Sequence, residues 1–143
     1  MMKKIILTSA VFSLSFTSIA LCAEDKTAKD NRIFSDPSKT ILVKKENPTF
    51  TLNLRSNPTT GFIWVLQGDY SHDMISAVNH AFHAPDSKLL GAPGYESFEF
   101  KMSGGAFVVP QVTQLTLYYM RPWVVANHPQ KMTFTIVSVS GIN

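Results

Sequence analysis

A chain of 143 residues, 45% of them hydrophobic and ten of them phenylalanine, suffices for one domain with its own core. Its 13 Lys+Arg outnumber its 10 Asp+Glu, but Lys3 and Lys4 sit in a basic start; without residues 1–23 the ratio is 11 to 10, a net charge of +1, and no basic stripe is left to hold nucleic acid. Cys22 is the only cysteine, which excludes an internal disulfide and leaves the core to hold the fold.

In chain order, "MMKK", the apolar and hydroxylic run "IILTSAVFSLSFTSIAL" and the small residues of "ALCAED" have the layout of a secretory signal peptide, residues 1–23. The apolar run is short for a membrane span, and no basic stop-transfer pattern comes after it, so no transmembrane span is expected. Cleavage after Cys22 or Ala23 yields an exported protein, periplasmic or secreted. The alternative is lipid attachment at Cys22, because "IALC" has something of a lipoprotein box, with Leu21 where such a box carries a small residue. Residues 24–38 are polar and aperiodic, a flexible segment with room for a short pairing stretch around Ile33 and Phe34.

From residue 39 to 143 the pattern is that of one β domain. "TILVKK" (40–45) reads as a strand, and "TFTLNL" (49–54) alternates, with Phe50, Leu52 and Leu54 on one face. "FIWVLQ" (62–67) is a continuous apolar run, the pattern of a central strand buried on both sides or of a strand in a sandwich core. "DMISAVNHAFHA" (73–84) is ambiguous between a helical turn and a strand; Phe82 and the bounding Pro85 favour a strand. "YESFEFKM" (95–102) alternates imperfectly through Tyr95, Phe98, Phe100 and Met102. "VTQLTLYYM" (112–120) and "MTFTIVSVS" (132–140) are rich in β-branched and aromatic residues. About seven or eight short strands at near-regular spacing predict an all-β antiparallel sandwich, with Trp64, Phe50, Phe98, Phe100 and Phe134 in its core.

Successive connections in such a sandwich alternate between its two ends, so "NPTTG", "PDSKLLGAPG" and "RPWVVANHPQ" share one end. Pro58 fixes its own φ and restricts Asn57; Gly61 can take a positive φ; Thr59 and Thr60 would project small hydroxyls from a rigid tip. Gly91, Ala92, Pro93 and Gly94 carry almost no side chain and let another backbone approach. Arg121, Pro122 and Trp123 come directly after a strand, and arginine and tryptophan are the types most enriched in binding hot spots. A loop already ordered loses little entropy on docking, so this end is read as a binding surface. The opposite end, with "KEN", "GDYSH" and "SGGAFVVPQ", is ordinary turn material.

Catalytic chemistry is poorly supplied. "SHD" (71–73) holds triad residue types, but neighbours on one stretch cannot form a triad, and they fall at the opposite end. His72, His80, His83 and His128 make no zinc pattern, since His80 and His83 at i, i+3 lie on opposite faces of a strand. No cofactor and no enzyme activity are expected.

"NPTTGF" (57–62), "LLGAPG" (89–94) and "YYMRPW" (118–123) resemble, in order and at similar spacing, the three motifs of the chagasin-like inhibitors of papain-type cysteine proteases, over residues 38–140. The resemblance implies an immunoglobulin-like β-sandwich whose three loops enter and straddle a protease cleft, as a monomer in a 1:1 complex. On it, the 57–61 loop is the wedge, with Thr59 and Thr60 over the target's catalytic Cys–His pair and Phe62 anchoring the loop base. Gly91–Gly94 would run along one side of the cleft, and Trp123 would pack on the other, with Arg121 and Pro122 holding its loop. The family's middle motif is usually Gly-x-Gly-Gly; here Pro93 removes one backbone N–H. The competing reading is a secreted immunoglobulin-like module that binds an envelope component, a sugar or an adhesin partner.

Overall fold

A computed structural model describes residues 32–87, 89, 91–124 and 128–140. The signal-peptide and Cys22 readings lie outside these residues. Among the described residues eight strands form two four-stranded sheets. They are β1 (Ile33–Phe34), β2 (Ile41–Lys44), β3 (Thr49–Ser56), β4 (Ile63–Leu66), β5 (Ile75–His83), β6 (Gly94–Met102), β7 (Gln111–Met120) and β8 (Gln130–Val139). One sheet has the order β1-β3-β6-β5 and the other β2-β8-β7-β4. Among the described residues no helix is long and apolar enough to cross a membrane.

The long pairs are antiparallel: β3 with β6 from Thr49↔Lys101 to Ser56↔Gly94, and β7 with β8 from Gln111↔Ser138 to Tyr119↔Gln130. The N-terminal strands instead run parallel to their neighbours, β1 along β3 and β2 along β8. The short pairing stretch at Ile33–Phe34 is present, and the chain then crosses from one sheet to the other. Pro37 sits in that crossing behind Asp36, whose carboxylate accepts from Ser38 N at 2.9 Å and whose carbonyl accepts from Lys39 N at 3.3 Å.

Period-two alternation delivers Phe50, Leu52, Leu54, Phe98, Phe100 and Met102 from one sheet and Leu115, Leu117, Phe134 and Ile136 from the other into a shared core. Phe50 and Phe100 stack at 5.5 Å, as register partners. All five aromatics expected inside are buried, Trp64 included.

Two strands refine the sequence reading. Of the two readings of 62–67 the central strand is not observed, since β4 is an edge strand; it borders the sandwich core through Trp64, the one buried residue of its four. Its remaining apolar surface is half-covered, with Phe62 and Trp64 both packed on Tyr119 of β7 at 5.4 and 5.0 Å. In β6 the inward set is Gly94, Glu96, Phe98, Phe100 and Met102. Tyr95 therefore faces outward, stacked on His83 at 4.5 Å, and a carboxylic acid takes the core position beside it.

The ambiguous 73–84 segment is an edge strand with a β-bulge that leaves Val78 out of register. The bulge exchanges the faces of the residues beyond it. His80 pairs with Phe98 and Phe82 with Glu96, on the face shared with the core but both still exposed at the sheet edge, while His83 turns to the other face and Ser97 at 2.8 Å.

Candidate functional site

The β3–β4 connection crosses between the sheets, and its tip is a 3-10 turn over Pro58–Thr60 closed by Gly61 at φ +79°. Gly61 N donates to Pro58 O at 2.9 Å and Thr60 N to Asn57 O at 3.1 Å. The two threonine hydroxyls do not stand free, contrary to the expectation from sequence. Thr59 Oγ1 donates to Asn57 Oδ1 at 2.6 Å, and Thr60 Oγ1 donates to Asn57 O at 2.7 Å. Both hydroxyls therefore stiffen the tip from inside, on residues that remain exposed.

Asn57 is the hub of this end. Besides those bonds, its backbone N donates to the Tyr119 hydroxyl at 3.0 Å and its Nδ2 to Gly91 O at 3.2 Å. The second contact ties the tip to the β5–β6 connection. There Gly91 turns at φ +76°, and Ala92 N donates to Leu89 O at 3.2 Å. Ala92 and Pro93 are half-buried, whereas Gly94 belongs to β6, buried opposite Ser56. A Cβ on Gly94 would stand 2.1 Å from the His83 carbonyl oxygen, so that position admits only glycine. Lys88 and Leu90 are outside the described residues.

The β7–β8 connection completes the end. Arg121 donates through Nε to Thr60 O at 3.1 Å and places its guanidinium 4.7 Å over the half-buried Phe62 ring. The edge of the Trp123 ring lies against Gly61, where a Cβ would come within 3.0 Å of Cζ2. Pro122 and Trp123 are exposed, and Val124 N donates back to Arg121 O at 3.1 Å. Residues 125–127 are outside the described part.

All thirteen residues singled out from the sequence thus come to one end of the sandwich, twelve in or bordering the loops and Gly94 in the strand below. Sequence reasoning missed three others. Tyr119 supplies the hydroxyl behind the tip. Leu89 is 77% exposed, about as open as Trp123 at 74%, and a leucine in a loop of small residues was the signal for it. Glu96 sits beneath the loop base at 2% exposure, and no local signal in the sequence sets it apart from Glu99 in the same strand. The arrangement offers a stiff tip flanked by two apolar prows, with Arg121 engaged in holding it. Among the described residues no group of three or more His, Cys, Asp or Glu side chains is placed to hold a metal ion.

The fold and this end define a β-sandwich that presents three mutually braced loops. The sequence profile of the chagasin family of peptidase inhibitors, I42, matches residues 44–137. The chain belongs to that family, a family of inhibitors and not of enzymes. It is 35% identical over 88 residues to chagasin from Trypanosoma cruzi, an alignment covering 59% of this chain and 74% of chagasin. Its fold is similar to that of the cysteine protease inhibitor EhICP2 from Entamoeba histolytica, with a TM-score of 0.59 and 22% identity over 75% of this chain and 94% of that one. Amebosin is similar at a TM-score of 0.57 and 19% identity, over 77% of this chain and 98% of amebosin.

Proposed function

We propose that this protein is a reversible, tight-binding inhibitor of papain-type cysteine proteases, acting as a monomer in a 1:1 complex after export to the periplasm or beyond. One observation carries the reading: Asn57 and Arg121 hydrogen-bond the three loops into a single body in the free protein. A wedge ordered in advance loses little conformational entropy on entering a cleft, so more of its contact energy appears as affinity. Residues 57–61 enter the cleft, residues 91–94 line one side through backbone, and Trp123 packs on the other. The family membership and the likeness to a cysteine protease inhibitor support the same target class.

The test is a titration of residues 24–143 into papain and a cathepsin-L-type enzyme cleaving a fluorogenic peptide, with a trypsin-type protease as control. Stoichiometric, reversible inhibition of the two cysteine proteases alone is expected. A folded protein that inhibits neither would overturn the proposal.

A further inference from the structure

We propose that Glu96 is the positioning residue of the wedge: its carboxyl group joins the two stems of the 57–61 loop, which no strand pairing joins. The proposal rests on the inhibitory reading above. In a β-hairpin the ladder between the two strands fixes the loop they carry. Here the stems are β3 and β4, and these lie in different sheets, so no ladder closes the base of the loop.

Glu96 bridges the gap with one atom. Its Oε1 accepts from Ser56 Oγ at 2.5 Å and from the Trp64 backbone N at 3.3 Å. Ser56 is the last residue of β3, and Trp64 is the second of β4. The other oxygen, Oε2, lies 2.8 Å from Nε2 of the half-exposed His80, which the bulge at Val78 has brought to the same face as Glu96 and which stacks on Phe98 at 4.3 Å. A second tie crosses the same gap, from Trp64 Nε1 to Arg55 O at 2.9 Å.

A buried carboxyl group on the inner face of one sheet is an expensive way to fill a core position. An apolar side chain would pack there, but Ser56 Oγ and the Trp64 N–H would lose their acceptor, and the spacing of the stems would be left to packing and the one remaining bond from Trp64 Nε1 to Arg55 O. Glu96 therefore acts on the free inhibitor, by keeping the loop base in the arrangement that binds. Loss of such an effect lowers the fraction of competent molecules and appears in the association rate; a lost contact with the target appears in the dissociation rate.

The experiment compares Glu96→Met, Glu96→Gln and Ser56→Ala in the 24–143 protein at 25 °C, each shown to be folded by near-UV circular dichroism. Amide hydrogen exchange reads residues 57–62 in the free protein, and stopped-flow kinetics with papain read the two rates. For Glu96→Met the expected result is faster exchange confined to 57–62 and neighbouring stem amides, with association about tenfold slower and dissociation unchanged. Glu96→Gln keeps an Oε1 acceptor and should stay within about threefold of the parent. Ser56→Ala should move in the same direction as Glu96→Met by a smaller factor, and it decides the matter if Glu96→Met does not fold. Parent-like exchange at 57–62, exchange raised uniformly through both sheets, or an unchanged association rate in a folded variant would each overturn the proposal. If the parent itself does not inhibit papain, the inhibitory reading fails, and the exchange data still judge the tie.

Discussion

Arg121 and Thr60 are 61 residues apart in the chain, and the Arg121 Nε–H reaches the Thr60 carbonyl at 3.1 Å. That bond joins the loop carrying Trp123 to the tip of the 57–61 loop, and the same guanidinium covers Phe62 at that loop's base. Arg121 is exposed, so its contribution to global stability is small, while its contribution to loop geometry is direct.

Arg121→Ala should therefore lower unfolding stability by no more than about 1 kcal/mol, as for surface positions that lose one contact. Inhibition of papain should weaken by about tenfold, because the two loops lose the bond that orders them before docking. Urea denaturation and inhibition titrations on the same preparation separate the two effects. Arg121→Lys should behave like the alanine variant, because a lysine ammonium cannot reproduce a planar donor that also stacks on a ring.

Glycine substitutions should rank by backbone and space. Gly94→Ala places a Cβ 2.1 Å from a backbone oxygen of the neighbouring strand and should prevent cooperative folding at 37 °C. Gly61→Ala meets both a positive φ and the Trp123 ring at 3.0 Å. It should cost about 1–2 kcal/mol from conformation alone and weaken inhibition besides. Gly68→Ala has nothing within 4 Å of the added Cβ and should be neutral. Thermal unfolding of the three variants checks the order.

Thr59→Asp should leave the fold intact, since Thr59 is exposed, and should abolish inhibition by bringing a carboxylate against the target thiolate. It also exchanges the hydroxyl that donates to Asn57 Oδ1 for an acceptor facing that oxygen. Inhibition assays set against the circular dichroism spectrum of the variant test this.

Trp123→Ala should raise the dissociation rate with little effect on association, by removing an aromatic anchor that is open in the free protein. Tyr70→Ala, at the opposite end, should leave both rates unchanged. Stopped-flow measurements with papain decide both, and parent-like dissociation of Trp123→Ala would remove that residue from the interface.

Much of this molecule was legible from short-range pattern. Alternation of apolar residues located β3, and richness in β-branched and aromatic residues located β7 and β8, within a residue or two, because such side chains suit a pleated, half-buried surface. Counting strands placed the three loops at one end, because each strand crosses a sandwich once. Proline and glycine marked where the tip would be stiff.

Pattern could not supply the identity of neighbours. The apolar run at 62–67 reads the same whether its strand is central or an edge covered by Phe62, Trp64 and Tyr119. The bulge at Val78 has no clear local signature, yet it decides that His80 and not Asn79 faces Glu96. A glutamate between tyrosine and serine looks like a surface residue until its strand is paired.

By itself, then, the order of residues determined the fold class, the end that carries the loops and the stiffness of the tip, since these arise from backbone restriction and alternation within a few residues. Only the tertiary structure decided that Thr59 and Thr60 spend their hydroxyls on Asn57, that Arg121 holds Thr60, and that Glu96 spans the two sheets beneath the wedge. Two of these bonds, Arg121 to Thr60 and Ser56 to Glu96, join groups 61 and 40 residues apart, and the Thr59 bond, though local, depends on the turn that packing sets. Such contacts exist only after both sheets have closed on a common core, which is why no window of sequence contains them.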